Sequence, residues 1–196
     1  MLKKLSLTAL SAAVLLMSGC AGFPANDLAR LPVKDLRIAS ATKTKVFSRW
    51  SLDKASDTNG QMTAAIAAVN KKRFEDALAT SECCTLVESP DAADLVVDGT
   101  VINENNPAAI IPAIITGLSL YTIPSWVTVT VHITANAKNG ATTRSYDLKD
   151  SLTMVQWLPM LFAMPFTTNP FSGEKEMTDN AFNTLVAKIK ADGLLK

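Results

Sequence analysis

The feature that most constrains this 196-residue chain is the stretch from Trp126 to Phe166, which contains a strand pair flanked by uncharged sequence. Apolar and polar residues alternate strictly from Trp126 to Ala135, and this is the period of a half-buried strand. The dipeptide Asn139-Gly140 then favours a tight turn, and a second strand-like run follows over residues 141–156. The stretch therefore predicts a long antiparallel hairpin.

A two-residue turn at Asn139-Gly140 would fix the register so that the numbers of paired residues sum to about 279. His132 then faces Asp147 and Thr128 faces Ser151. Asp150 is the one misfit, because it falls opposite an apolar residue on the core face, and a bulge could correct it.

Two uncharged runs leave the open end of this hairpin. No Asp, Glu, Lys or Arg occurs between Glu104 and Lys138, or between Asp150 and Glu174. We call residues 107–126 and 157–171 the apolar end. Prolines and Gly117 divide its first segment into pieces too short to span a bilayer, so a short interfacial helix or an extended excursion is expected. The candidate membrane or partner contacts are Leu118, Leu120, Tyr121, Ile123, Trp126, Trp157, Leu158, Leu161, Phe162 and Phe166.

Three interpretations of the apolar end stay open at this stage. Its two segments could pack on each other and complete the core. They could lie in a lipid leaflet, with Tyr121, Trp126 and Trp157 at the headgroup level, where amphipathic rings prefer to sit. They could also bind another chain, in a ring or an envelope complex, because large exposed apolar patches mark interfaces.

The amino terminus, residues 1–19, has the pattern of a secretion signal. Lys3 and Lys4 form a basic region, and an apolar run follows that is too short to span a bilayer. Residues 16–20, Leu-Met-Ser-Gly-Cys, resemble the bacterial lipobox, which implies that Cys20 is acylated and becomes the mature amino terminus. Ala21 at the next position implies the outer membrane, and residues 20–32 are expected to form a lipidated tether. The covalent acyl groups on Cys20 are the only prosthetic groups expected.

The remaining chain alternates strand and helix signals. Strands are expected at residues 33–39, 45–52, 82–88 and 94–102, the last one apolar on both faces and therefore internal. Residues 58–61 have capping-box spacing before a long helix, and a final helix begins near Ser172 and stops at Gly193. We predict one periplasmic α+β domain over residues 33–196, with a mixed or antiparallel sheet and two main helices on one face.

The order of these elements, with residues 83–88 (Cys-Cys-Thr-Leu-Val-Glu) and 92–101 (Ala-Ala-Asp-Leu-Val-Val-Asp-Gly-Thr-Val), resembles the TolB amino-terminal type of α/β domain. Bacterial outer-membrane lipoproteins with that plan include the curli-secretion and Pel-export lipoproteins and penicillin-binding-protein activators. The resemblance implies an outer-membrane lipoprotein in envelope assembly or export, and it carries no catalytic residues over to this chain.

Candidate chemical sites are few. His132 is the only histidine, and its predicted pairing with Asp147 is more typical of a surface cross-strand pair than of a catalytic base. Cys83 and Cys84 should point to opposite faces of a strand; unbridged thiols are our first expectation, with a vicinal disulfide or an intermolecular bond as alternatives. One histidine and two adjacent thiols do not suffice for a structural zinc site.

Charge argues against nucleic acid as a partner. Without Lys3 and Lys4 the chain has 17 basic and 18 acidic residues, and no basic block could neutralise several phosphates. The sequence thus predicts a non-enzymatic, periplasm-facing outer-membrane lipoprotein, whose expected partners are membrane lipid and either further copies of the chain or an envelope complex. The alternative is a periplasmic carrier that holds an acyl chain between the two segments of the apolar end. A hydrolase that uses His132 ranks third.

Overall fold

A computed structural model describes residues 20–37, 42–53, 60–102, 104 and 110–195. The predicted signal segment 1–19 and the predicted capping residue Thr58 lie outside the described residues. The strands are β1 (Cys20–Pro24), β2 (Thr44–Leu52), β3 (Cys84–Leu86), β4 (Leu95–Ile102), β5 (Ser125–Asn139) and β6 (Thr142–Gln156). The helices are α1 (Val33–Leu36), α2 (Gly60–Ser81), α3 (Ile110–Leu118), α4 (Met160–Ala163) and α5 (Pro170–Ala191), with short 3₁₀ turns at Pro90–Ala92 and Met164–Phe166.

The six strands form one mixed sheet in the order β1-β6-β5-β4-β2-β3. Strand β2 is parallel to both β3 and β4, whereas β4 pairs antiparallel with β5 and β1 pairs antiparallel with β6. The predicted α+β class is confirmed, and so is the internal position of β4, which lies between β5 and β2.

The chain divides into two compact units. Unit 1 comprises residues 1–25, 105–129 and 152–175, and unit 2 comprises residues 26–104, 130–151 and 176–196. The stretch from residue 33 onward, predicted as one domain, contributes to both.

The core of unit 2 is arranged around Trp50 of β2. Its ring lies 5.3 Å from the ring of Phe74 in α2 and 5.1 Å from that of Phe182 in α5, measured between centroids. Because one side chain touches both helices, α2 and α5 cover the same face of the sheet, as predicted. The predicted apolar stripe of α5 is buried as well; it consists of Met177, Ala181, Leu185 and Ile189, flanked by Phe182 and Val186.

The hairpin is confirmed, but its register differs from the expected one. Strand β5 ends at Asn139 and β6 begins at Thr142, so the turn consists of Gly140 and Ala141, and Gly140 takes the positive φ of 57°. The Thr128 and Thr153 hydroxyls are 3.0 Å apart, and their numbers sum to 281. A shift of two keeps every side chain on its predicted face, so the alternation of apolar and polar residues cannot distinguish the two registers.

Asp150 is buried on the core face without needing the predicted bulge to turn it outward. Its Oδ1 accepts hydrogen bonds from the backbone N–H groups of Asp27, at 3.1 Å, and of Ser151, at 2.8 Å. Buried carboxylates are tolerated where such donors satisfy them. Asp150 therefore holds the segment after β1 against the sheet.

Two predictions for the amino-terminal region are wrong. The expected strand at residues 33–39 is the one-turn helix α1 over its described part, because Asp35 N–H bonds back to Pro32 C=O and only Leu36 of the turn is buried. The expected tether at residues 20–32 contains β1, which is fully paired with β6 despite its glycine and proline. Backbone pairing to a long neighbouring strand outweighs the local preference of these residues for irregular structure.

Candidate functional site

The apolar end lies in unit 1, and most of its large side chains face solvent. Helix α3 has the sequence Ile-Ile-Pro-Ala-Ile-Ile-Thr-Gly-Leu, and of its nine residues only Thr116 is buried. Its Thr116 hydroxyl bonds back to Pro112 C=O at 3.0 Å. A helix that is apolar on every side and exposed requires a covering surface. The exposed large residues of this segment are Ile110, Ile111, Ile114, Ile115, Leu118, Leu120 and Ile123.

The turn after α3 is closed by hydrogen bonds of the Schellman type. Tyr121 N–H donates to Thr116 C=O at 2.8 Å, and Leu120 N–H donates to Gly117 C=O at 3.1 Å. Leu120 and Tyr121 have φ angles of 52° and 62°, in the left-handed region that glycine normally occupies in this motif. Leu120 is 69% exposed, so the turn presents a large apolar side chain outward.

The second segment of the apolar end is tied to this turn. Leu158 N–H donates to Tyr121 C=O at 2.8 Å, which joins the chain leaving β6 to the chain entering β5. Helix α4 and the 3₁₀ turn after it follow, and they expose Phe162 by 81% and Phe166 by 89%. The expectation that both segments meet at one end of the hairpin is therefore confirmed.

The predicted contact residues divide into two groups by exposure. Tyr121, Leu158 and Leu161 are partly buried. In unit 1 the large apolar residues of the apolar end do not form a core of their own, and the interpretation that they complete one is wrong for the described side chains. The exposed group consists of Leu118, Leu120, Ile123, Trp126, Trp157, Phe162 and Phe166.

Cys20 is the first residue of β1, and its Cα is paired with that of Gln156. Gly22 is held on both sides, because it pairs with Met154 in β6 and its N–H donates to Thr168 C=O at 2.8 Å. Ala21 is completely buried, and partial burial raises the pKa of the Cys20 thiol. Cys20, which the sequence predicts to be acylated, thus belongs to the folded sheet, and its partner Gln156 is followed directly by Trp157.

A second cluster, in unit 2, surrounds His132. Its Nδ1 lies 2.6 Å from Glu104 Oε1, and its Nε2 lies 2.8 Å from Asp147 Oδ1. Lys149 forms an ion pair with the other oxygen of Glu104, and hydrogen bonds from Lys149 and then His132 lower the pKa of Glu104. Because a carboxylate faces each ring nitrogen, neither nitrogen is open to take a proton from a nucleophile.

The predicted contact between His132 and Asp147 is therefore present, as part of a larger surface cluster, although in the observed register the two residues are diagonal rather than direct cross-strand neighbours. The participation of Glu104 was not predicted. The contact between His132 and Asp147 was predicted from the alternating sequence of β5 and from the turn to β6, and Glu104 lies outside both strands. Among the described residues, no group of three His, Cys, Asp or Glu side chains is arranged to hold a metal ion.

Cys83 and Cys84 form a vicinal disulfide, so the expectation of two unbridged thiols is wrong. The strand β3 begins only at Cys84, and the rule that neighbours point to opposite faces does not apply to Cys83 before it. Ser81 hydroxyl donates to the Cys83 sulfur at 3.0 Å. The bond lies at the outer edge of the sheet in unit 2.

Sequence reasoning did not include the isoleucines of α3 among the candidate contacts. The available signal was a nine-residue segment with no charged residue on any side, because a helix that is apolar all round must be covered by the core of the protein or by another surface. Over the part of the chain that is described, no helix combines the length and the apolar character needed to cross a membrane.

No protein-family profile matches the chain, and no sequence match was found among curated proteins. Solved structures with weak similarity include the hypothetical protein CT253 from Chlamydia trachomatis, with 11% identity, coverage of 76% of this chain and 97% of the other, and a TM-score of 0.40. They also include the PelC dodecamer from Paraburkholderia phytofirmans (7% identity, 87% and 94% coverage, TM-score 0.30) and protein XCC0632 from Xanthomonas campestris (9% identity, 76% and 82% coverage, TM-score 0.33). Similarity at this level is too low to assign a function or an assembly to this chain.

Proposed function

We propose that this protein is a lipid-anchored, periplasm-facing lipoprotein of the bacterial outer membrane that docks on the membrane through its apolar end. Its role is non-enzymatic and accessory, in envelope assembly or export. The observation that carries the proposal is the position of Cys20 in β1, paired with Gln156, in the same unit as the exposed apolar side chains.

The anchor and the apolar end support each other physically. Acyl chains on Cys20 would start next to Trp157, because Gln156 is the Cα partner of Cys20 and Trp157 follows it. Each CH₂ of an acyl chain that enters the bilayer contributes about 0.8 kcal/mol to the free energy of membrane binding. A lipidated Cys20 would therefore keep unit 1 at the bilayer surface. Docking of the apolar end then becomes an intramolecular event with a high effective concentration.

The exposed side chains supply the second contribution. Full burial of a large apolar side chain is worth about 1.5–3 kcal/mol relative to exposure in water. Several residues of the apolar end are exposed by more than half, including Leu118, Trp126 and Phe162. A carrier that enclosed an acyl chain would instead turn such residues inward around the ligand. Outward-facing side chains favour docking over carriage.

The test uses residues 20–196 with Cys20→Ser, which contains every described element and no acyl group. Co-flotation with liposomes and light scattering in buffer are measured for this protein and for a Trp126→Ser, Trp157→Ser double variant. A matched control is Val69→Ser, which removes an exposed apolar side chain of α2 in unit 2. We expect liposome binding by the parent and the control, and its loss in the double variant.

Two outcomes would reject membrane docking. These are a monomer that ignores liposomes, and a stable oligomer that forms in buffer and no longer binds lipid. Full binding by the double variant would reject Trp126 and Trp157 as contact residues. A lipid that co-purifies at fixed stoichiometry would support the carrier instead. For the anchor itself, the intact chain should fractionate with outer membranes, and Cys20→Ala should weaken this association to the level that the apolar end supplies alone.

A further inference from the structure

The structure points to residues 110–124 as an element that inserts into the acyl region of one leaflet. This insertion is independent of the charge of the lipid headgroups. The inference rests on the proposed membrane docking and specifies its partner, a lipid surface bound through its hydrocarbon region. Three independent observations carry it: the hydrogen bonding of the backbone, the conformation of the tip and the distribution of charge.

The first observation concerns backbone N–H groups, which must be satisfied within the protein wherever it meets hydrocarbon. After α3, five consecutive N–H groups donate within the same turn, and the next residue, Pro124, has no N–H. The turn can therefore leave water without exposing an unpaired backbone donor. The five bonds run from residue 119 to Ile115 C=O (2.9 Å), from 120 to Gly117 C=O (3.1 Å), from 121 to Thr116 C=O (2.8 Å), from 122 to Ser119 C=O (3.1 Å) and from 123 to the Ser119 hydroxyl (3.1 Å).

The polar side chains of this turn are satisfied as well. Thr116 hydroxyl donates to Pro112 C=O, Ser119 hydroxyl donates to Thr116 C=O, and Thr122 hydroxyl donates to Ser119 C=O, at 3.0, 2.9 and 2.7 Å. Each hydroxyl bonds to the backbone three or four residues earlier, which removes the cost of withdrawing it from water.

The second observation is the conformation of Leu120 and Tyr121. Both have positive φ, and glycine is the residue that adopts this conformation without steric cost at the end of a helix. Non-glycine residues persist in such regions where the surrounding structure imposes them, often at functional sites. Here the backbone of Tyr121 is fixed by bonds to Thr116 and Leu158, and the outcome is an outward-facing Leu120. We therefore place the tip of the inserting element at Leu120.

The third observation is charge. Apart from Lys3 and Lys4 in the signal segment, unit 1 contains only one acidic and one basic residue, the neighbours Glu174 and Lys175. Proteins that select anionic lipids do so through clusters of Lys and Arg near the surface, an attraction that salt screens. Unit 1 has no such cluster. The rings of Trp126 and Trp157 can lie at the headgroup level of zwitterionic lipids as well as at that of anionic lipids.

The experiment compares four lipid conditions with residues 20–196 carrying Cys20→Ser. Vesicles of phosphatidylethanolamine and phosphatidylcholine, with or without about one-third phosphatidylglycerol, are each tested at low and at high NaCl concentration. We expect affinities that agree within about twofold across all four conditions. Binding that needs the anionic lipid, or that falls more than about fivefold at high salt, would overturn the inference while leaving membrane docking intact. Failure to bind any vesicle would instead reject the proposed function.

Depth of insertion is measured in the same system. A fluorophore is attached to Leu118→Cys, and it is quenched by nitroxide placed on acyl chains or on headgroups. Stronger quenching from the acyl chains is expected, whereas stronger quenching from the headgroups would overturn insertion.

Leu120→Gly tests the tip. The fold should be retained, because glycine suits the positive φ of 52°, while vesicle affinity falls about tenfold. Val69→Ser should leave the affinity unchanged. An unchanged affinity in Leu120→Gly, with circular dichroism confirming the fold, would show that the tip lies elsewhere.

Discussion

Cys20 and Gln156 are direct neighbours across β1 and β6, with their side chains on the same face of the sheet. A flexible tether at residues 20–32 would leave Cys20 free to sample many positions instead. If Cys20 carries the proposed acyl groups, this pairing makes the lipid anchor part of the folded structure, and the sheet would fix the position of the acyl chains relative to unit 1.

This pairing predicts a specific cross-link. In residues 20–196 without lipid, Gln156→Cys should form a disulfide with Cys20, because paired residues on adjacent antiparallel strands lie within the Cα separation that a disulfide requires. Non-reducing peptide mass spectrometry detects it. Val155→Cys is the matched control, since Val155 is the Cα partner of Ala21, and its side chain lies on the opposite face. Equal cross-linking of both variants would mean that residue 20 belongs to a mobile tether.

Close packing in the core of unit 2 is predicted to depend on Gly99. A Cβ there would come within 2.5 Å of the Trp50 indole, which lies across β4 and contacts both main helices. Gly99→Ala should therefore lower the free energy of unfolding by about 1–3 kcal/mol, the usual cost of overpacking. Urea unfolding followed by tryptophan fluorescence measures it.

The control for Gly99→Ala is another glycine with room around it. A Cβ at Gly117 would meet nothing within 4 Å, and Gly117 lies in α3. Gly117→Ala should be neutral or stabilising, by up to about 1 kcal/mol. If both substitutions changed stability alike, close packing of Trp50 on Gly99 would not be the cause.

Much of the fold follows from local sequence. The alternation in β5 and the four-residue stripe of α5 identify buried faces correctly, because both depend on a periodicity that neighbouring residues express by themselves. The register of the hairpin does not follow, since a shift of two residues preserves every face. The pairing of β1 with β6 is equally hidden, because it joins segments far apart in the sequence, such as Cys20 and Gln156.

In the candidate site, too, some features follow from local sequence and others depend on tertiary contacts. The absence of charge at residues 105–137 identifies the apolar end from sequence. Exposure of that end is a property of tertiary packing, and so is the bond from Leu158 to Tyr121 that joins its segments. The left-handed conformation of Leu120 contradicts its own preference, so no sequence rule would place it there.

The vicinal disulfide gives a simple chemical prediction. In the folded Cys20→Ser protein, a thiol reagent should detect no free thiol, and denaturation alone should not release one. After reduction, two thiols should react, with Cys84 reacting faster than Cys83 in the folded state because Cys83 is completely buried. Alkylation followed by mass spectrometry measures both steps. Two reactive thiols before reduction would contradict the bond.

The cluster around His132 predicts how stability depends on pH. Hydrogen bonds from Lys149 and His132 hold the pKa of Glu104 below its ordinary value of 4.5 in the folded protein. A carboxylate with a lowered pKa stabilises the fold fully above its unfolded pKa, and this contribution disappears as pH falls through the lowered value. Glu104→Gln should therefore be less stable than the parent at pH 7, and the difference should shrink below about pH 4.5.

Urea unfolding of both proteins at a series of pH values measures this difference directly. Glu88→Gln, which changes an exposed glutamate outside the cluster, controls for the loss of one negative charge. Lys149→Gln should reproduce much of the effect, because Lys149 is the first cause of the lowered pKa of Glu104. A difference between parent and Glu104→Gln that stays constant or grows below about pH 4.5 would show that the neighbours of Glu104 do not lower its pKa in the folded protein. The cluster would then be a coincidence of surface side chains rather than a link between β5, β6 and the chain that follows β4.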